Sequence, residues 1–165
     1  MDRAVVHAGQ DLTADPGFLP LEAKMCAEKI RPIAICLCRD GDRILVTEFC
    51  ENGRLYYRPL GGTIEFGERG EETVRREFRE EIAADLTDVR YLGTLENIYT
   101  VEEQRAHEIV LVFDGRFMDN NFYKKEIIQG DELGVPFKAV WKRIDEFGPK
   151  KPPLYPDGLS TIFKN

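Results

Sequence analysis

Apolar residues crowd the chain from Ile33 onward. Ile33, Ile35 and Leu37 alternate with Ala34, Cys36 and Cys38, which reads as a buried strand with both cysteines on one of its faces. Asp40-Gly41-Asp42 is a tight-turn signal, and Arg43 to Phe49 is the returning strand. Glu51-Asn52-Gly53 marks a second hairpin. Leu55, Tyr56 and Tyr57 then lead through Arg58-Pro59 to Gly61-Gly62, the proline suggesting an edge or a strand end. From Gly70 the period changes from two to 3.6. Val74, Phe78 and Ile82 recur at i, i+4 and i+8, giving one apolar stripe and a helix over about Gly70–Ala83. Glu71 and Glu72 fall in its first turn, where the helix dipole favours anions.

Two more strands follow, Val89–Tyr99 and Glu108–Phe117, the second carrying IVLVF. Met118–Val135 is polar and contains glycine, and reads as a loop. Phe137–Ile144, with Trp141, is a last strand, and Leu154–Phe163 a C-terminal helix after Lys-Pro-Pro. Upstream, Asp15-Pro16-Gly17 signals a turn and LEAKMCAEKI a short helix. With no internal repeat or low-complexity linker, the chain divides into an N-terminal extension, residues 1–30, and one α/β domain, residues 31–165, of α/β/α layering around a mixed β-sheet.

Composition narrows the function. At 165 residues the chain has the size of one ordinary domain. A net charge of −7 argues against broad binding to nucleic acid or to an anionic membrane, each of which needs a basic face. An anionic substrate stays open, because a bound cation can invert the local field. No apolar run approaches the length of a membrane span. The start, MDRAVVHAGQDL, lacks the basic-then-apolar order of a secretory signal, so a cytoplasmic protein is expected. Cys26, Cys36, Cys38 and Cys50 form no CxxC, and small buried hydrophobes in a reducing compartment is the simpler reading than a zinc site.

The predicted helix carries the chemistry. At about 100° per residue, Glu77 and Glu81 are neighbours with Glu80 beside them, in a stripe flanking the apolar face. Three carboxylates that close repel one another and raise each other's pKa values, a cost that a cation removes. Carboxylate oxygens on a rigid helix suit Mg²⁺ or Mn²⁺. Such a metal serves phosphoryl chemistry by neutralising a polyphosphate and generating hydroxide from water. Gly61-Gly62 lies just upstream, where backbone without Cβ can approach a metal or a phosphate closely.

Gly62, Glu68, Arg76, Glu77, Phe78, Glu80 and Glu81 fit Gly, five residues, Glu, seven residues, Arg-Glu-apolar-x-Glu-Glu. This spacing resembles the box of the Nudix hydrolases, and the surrounding strand order extends the resemblance over residues 31–163. The resemblance implies a Nudix-type fold and hydrolysis of a small-molecule nucleoside diphosphate linked to a group X. It implies Glu77, Glu80 and Glu81 as metal ligands and Arg76 as the arginine that orients a box glutamate. Glu68 would support the metal through water or an ion pair, and a carbonyl of Gly61 or Gly62 would add a ligand. Two positions depart from the family pattern. Ala83 stands where the box has glycine, so the helix is expected to run on to about Ala84. Arg69-Gly70 replaces Ser or Thr followed by Pro, so a differently capped start is expected, with Arg69 available to substrate.

Subfamily marks outside the box are mostly absent. Thr100 stands near the proline of many ADP-ribose hydrolases, Tyr99 is close to the tyrosine of diadenosine polyphosphate hydrolases, and the coenzyme A and NADH hydrolase motifs are missing. Glu126, Asp131 and Glu132 are candidates for the base. Lys124, Lys125, Arg54 and Arg58 are candidates for phosphate binding, and Tyr56, Tyr57, Phe122 and Tyr123 for base stacking. His107 carries little weight. The rival reading is a non-catalytic nucleotide-sensing module of the same fold, against which the intact glutamate set argues. The N-terminal extension could serve a homodimer.

Overall fold

A computed structural model describes residues 29–51, 53–101 and 104–162. The turn at Asp15–Gly17, and the expected helix after it as far as Glu28, lie outside the described residues. Among the described residues, eight strands and two helices follow one another: β1 (Ile30–Asp40), β2 (Arg43–Glu51), β3 (Arg54–Arg58), β4 (Gly61–Thr63), α1 (Gly70–Ile82), β5 (Leu86–Val101), β6 (Gln104–Phe117), β7 (Ile127–Glu132), β8 (Val135–Arg143) and α2 (Leu159–Ile162). Short 3-10 turns cover Asn120–Lys124 and Ile144–Glu146.

The sheet runs β5-β6-β1-β2-β8-β7, with β3 added to β2 and β4 to β1. The β1–β6 pair is parallel and the others antiparallel, so the sheet is mixed. The alternation in β1 builds the two sides of the molecule. Ala34, Cys36 and Cys38 pack with Val74, Phe78 and Ile82 of α1, while Ile33, Ile35 and Leu37 pack with Val110, Val112 and Leu159 on the α2 side. The predicted α/β/α layers are therefore present, and the α1 stripe is the buried one. Full burial of a side chain such as Phe78 contributes about 1.5–3 kcal/mol. Cys36 and Cys38 are core residues, and burial pushes the Cys38 thiol above its ordinary range.

Strands β1 and β2 pair only beside their turn, at Arg39↔Ile44 and Asp40↔Arg43. Beyond it they part: β4 takes the freed edge of β1 at Ile33, Ala34 and Ile35, and β3 pairs with β2 over Thr47–Glu51. A small cleft opens there, lined by Ile35, Thr47, Leu60 and Gly61.

The structure corrects four expectations. The segment Met118–Val135 is not a loop but a 3-10 turn, strand β7 and its hairpin to β8. Its polar sequence hides a strand because one buried position is Gly130, where a Cβ would lie 2.2 Å from Cζ of Phe137. The phenylalanine ring on β8 occupies that space. Second, Gly61-Gly62 is itself part of a strand, β4. Third, among the described residues the C-terminal helix covers Leu159–Ile162 and does not start at Leu154; Pro153, Pro156 and Gly158 break its expected first part, and Leu154 instead bridges to Tyr57.

Fourth, α1 does not run on to Ala84. It stops at Ile82, and Ala83 takes the left-handed conformation at φ 53°. Its N–H reaches the Arg79 carbonyl at 3.1 Å, and that of Ala84 reaches Phe78 at 3.0 Å. Those closing bonds hold alanine in glycine's place. No helix among the described residues is long and apolar enough to cross a membrane.

Candidate functional site

The β4–α1 connection sets the geometry. Glu65, Phe66, Gly67 and Glu68 form a tight turn closed by a bond from the Glu68 N–H to the Glu65 carbonyl at 3.0 Å. Helix α1 then starts without a side-chain cap from Arg69. Instead Glu72, three residues in, accepts the Arg69 N–H at 2.8 Å, the reciprocal half of a capping box. The Arg69 side chain lies on the exposed surface.

Arg76 organises the acids. It forms a fork with Glu68, Nε to Oε1 at 2.9 Å and Nη2 to Oε2 at 3.1 Å. Its Nη1 also donates to Glu77 Oε1 at 2.9 Å and to Glu80 Oε2 at 3.0 Å, and Nη2 to the Thr63 carbonyl at 3.2 Å. One guanidinium thus ties strand β4, the turn and helix α1 together, using the planar donor geometry peculiar to arginine. Glu68 gains a further partner that the sequence did not announce. Thr73, fully buried on the first turns of α1, donates its hydroxyl to Glu68 Oε2 at 2.8 Å. The only signal for it was a hydroxyl residue five positions after Glu68.

Glu77 lies against Gly62. A Cβ on Gly62 would stand 1.9 Å from Glu77 Oε1, so only glycine leaves that oxygen its place. Gly61 is equally constrained, at φ 145° and with a Cβ position 2.1 Å from the Ala34 carbonyl. The two glycines are where β4 presses on β1 and on the helix at once.

The acids differ in environment. The Arg76 fork holds the Glu68 carboxyl below the usual range. Burial pushes Glu77 up, against the pull of Arg76. Burial pushes Glu81 well above the ordinary range, and the charges of Glu77, Glu132 and Glu80 add to it. Glu80 is the outer member, with 61% of its side chain exposed.

Among the described residues, Glu77, Glu80 and Glu81 do not form a ready-made cage. Arg76 draws Glu77 and Glu80 to itself, as mutual repulsion of the acids favours. The donors nevertheless suit a hard cation. They are carboxylate oxygens on a rigid helix, one cradled by a position that no Cβ could fill.

Glu81 lines the cleft, as do Gly61, Thr47, Phe137, Glu132, Arg58 and Tyr155. The structure therefore sorts the three acids of the β7–β8 region. Glu132 lines the cleft and its charge reaches Glu81. Asp131 accepts the Gly134 N–H at 2.7 Å and serves the hairpin turn. Glu126 is exposed just before β7.

Of the basic candidates, Arg58 lines the cleft. Lys125 lies over the Phe122 ring and Lys124 bonds Asn121, while Arg54 is on the exposed start of β3. Tyr57 and Phe122 are core residues. Tyr123 stacks on Trp141 and Tyr56 on Phe49. His107 pairs with Glu96 at 2.9 Å on the β5–β6 surface.

Known proteins resemble this chain to different extents. The NAD-capped RNA hydrolase NudC of Mycobacterium tuberculosis (strain ATCC 25618 / H37Rv) is 42% identical over 67 residues, covering 40% of this chain and 21% of that protein. The human mitochondrial NAD(P)H pyrophosphatase NUDT13 is 35% identical over 66 residues, covering 40% of this chain and 19% of that protein. The chain thus spans about a fifth of the length of these relatives. Among solved structures, a MutT NUDIX hydrolase from Burkholderia pseudomallei superposes with a TM-score of 0.61 at 18% identity, covering 82% of this chain and 98% of that one. A MutT protein from Bacillus halodurans gives 0.55 at 22% identity, covering 82% and 81%. At such identities the likeness is one of fold. Residues 29–160 match the NUDIX domain, and with most of its length inside that match the chain belongs to the Nudix hydrolase family.

Proposed function

We propose that the protein is a Mg²⁺- or Mn²⁺-dependent pyrophosphohydrolase that cleaves the diphosphate linkage of a nucleoside diphosphate-X substrate. The observation that supports this best is the packing of Glu77 on Gly62, beside a cleft that Gly61, Glu81 and Glu132 line. Glu77, Glu80 and Glu81 would hold the cation, with a carbonyl of Gly61 or Gly62 as a further donor. When bound, the cation would neutralise the diphosphate and make its water more acidic.

The chain's own groups do the rest. Arg76 fixes Glu77 and Glu80, and Glu68, held by Arg76 and Thr73, fixes Arg76 in turn. Glu132, which lines the same cleft as Glu81, would accept a proton from the attacking water. The water oxygen bonds to one phosphorus, the bridging oxygen departs with the other, and two phosphate monoesters leave. The names of the partial relatives make NADH a sensible first member of a substrate panel, although the motif expected after the box for that activity is missing. A soluble, small-molecule role without nucleic acid or membrane fits the charge of −7.

Replacing Glu81 by Gln tests the assignment. Turnover of any good substrate should fall by two or more orders of magnitude while far-UV circular dichroism stays as in wild type. Equal kcat for the two proteins would sink it.

A further inference from the structure

The cleft has lining that the box does not explain. Arg58, Tyr155 and Pro156 line it together with Glu81 and Glu132. They come from the last residue of β3 and from the segment after Lys151, two parts of the chain nearly a hundred residues apart. That segment is strapped to the edge of β3. The Tyr57 N–H donates to the Pro153 carbonyl and the Tyr155 N–H to the Tyr57 carbonyl, each at 2.9 Å. Leu154 packs into the core clusters on either side, Pro156 is buried, and Leu159 is 1% exposed. Buried side chains thus bracket Tyr155, and its own ring is 38% exposed while Phe49 and Tyr57 nearby are 6% and 3%. The Tyr155 ring meets Tyr56 only edge-on, centroids 5.8 Å apart at 66°. Tyr56 is itself stacked on Phe49 at 5.0 Å. An aromatic surface held by backbone bonds, backed by further rings and open to a cleft loses little entropy on binding a flat ligand.

Arg58 adds charge to the same cleft. Among the described residues lining it, Arg58 carries the positive charge, in a chain of net charge −7. A guanidinium suits phosphate oxygens in pairs.

We propose that Tyr155 is the stacking wall for the base of the nucleotide half of the substrate, and that Arg58 holds the phosphate attached to it. This rests on the hydrolase reading for the identity of the ligand, but not for the geometry. It assigns the C-terminal strap a role in specificity, and it places the group X away from Tyr155.

The test uses ligands without an anhydride bond, so that binding is read apart from turnover. The four 5′-nucleoside monophosphates and ribose 5-phosphate are titrated calorimetrically into the full chain with Mg²⁺. Variants are Tyr155→Ala, Tyr155→Phe and Arg58→Gln. Tyr155→Ala should weaken about tenfold the nucleoside monophosphates that wild type binds, since stacking tolerates any base, and leave ribose 5-phosphate, which has no base, unchanged. Tyr155→Phe should bind as wild type, because the ring and not the hydroxyl stacks. Arg58→Gln should weaken nucleotide and ribose 5-phosphate alike. Unchanged nucleotide binding in Tyr155→Ala overturns the proposal, as does a wild-type chain that binds none of the four. Parallel assays of Glu81→Gln keep the two readings separate. Loss of turnover there with unchanged binding in Tyr155→Ala refutes the strap alone, and the converse refutes the hydrolase alone.

Discussion

Ala83 shows how a single residue records a compromise. It ends α1 at φ 53°, a region that costs a residue bearing a Cβ about 1–2 kcal/mol. Because the side chain is exposed, Ala83→Gly removes that strain and no packing. Glycine gives back part of the gain through the freedom of the unfolded chain. A net stabilisation of about 0.5–1 kcal/mol follows, raising Tm by about 1–4 °C, readable by calorimetry; a lower Tm would refute the strain.

Glu81 argues at the same scale through pH. Its carboxyl lies well above the ordinary range in the folded chain, from burial first and then from Glu77, Glu132 and Glu80, and Glu77 is shifted the same way by burial. The folded protein without metal therefore binds protons more tightly than the unfolded chain. That contribution to stability is fully present below the unfolded value of about 4.3. It is lost as pH rises through the raised folded values. Glu68 is shifted down, so its contribution fades only below the ordinary carboxyl range, outside this window. Thermal shift scans of metal-free protein between roughly pH 5 and 8 should show Tm falling as pH rises. Added Mg²⁺ should stabilise more at the upper end, and Glu81→Gln should flatten the slope. A metal-free Tm that climbs with pH, with no change in Glu81→Gln, contradicts the assignment.

Among elements, β4 and α1 act as one unit whose contact is Gly62 on Glu77. Gly62→Ala would put a methyl group 1.9 Å from Glu77 Oε1, forcing the carboxylate away and breaking its bond to Arg76. The backbone pairing Gly62↔Ala34 needs no glycine. Activity should thus fall about a hundredfold, the size of effect that a 1 Å misplacement produces, with a small change in Tm; retained kcat would show that Glu77 is not used where it sits. This unit was also the most legible in the sequence, because Val74, Phe78 and Ile82 and the glutamates are spaced locally. Strand β7 was not. Its buried positions are Ile128 and Gly130, and the second reads as core only once Phe137 is laid over it. The C-terminal segment misled for the opposite reason. Leu154, Leu159 and Ile162 are buried or partly buried there, but Pro153, Pro156 and Gly158 prevent the helix that such apolar residues suggest.

For the whole molecule, what the sequence could not show is what non-local pairing creates. The acids of the box were readable, but Glu132 stood among three equal candidates until β7 packed beside α1. The buried charge of the sheet gave no sign at all. Glu108 on β6 is fully buried and pairs with Arg31 on β1, 77 positions away. Tyr99 donates to its Oε1 and Asn97 to its Oε2, each at 3.0 Å. Burial, with the charge of Glu108 next, pushes the Tyr99 hydroxyl up to about 12, so it stays a donor at neutral pH. The parallel register Arg31↔Glu108 sets this group on the α2 side, joining β1, β6 and β5. Glu108→Gln keeps the shape and removes the negative charge that faces Arg31. Removing one partner of such a pair costs about 3–5 kcal/mol, which for a chain of this length lowers Tm by roughly 6–20 °C. Replacing both by apolar residues of similar size, Arg31→Met with Glu108→Leu, removes both charges together and should be more stable than the single Glu108→Gln variant. A Tm of the double variant below that of Glu108→Gln would mean that the pair's other hydrogen bonds, and not its charge balance, hold this side of the sheet together.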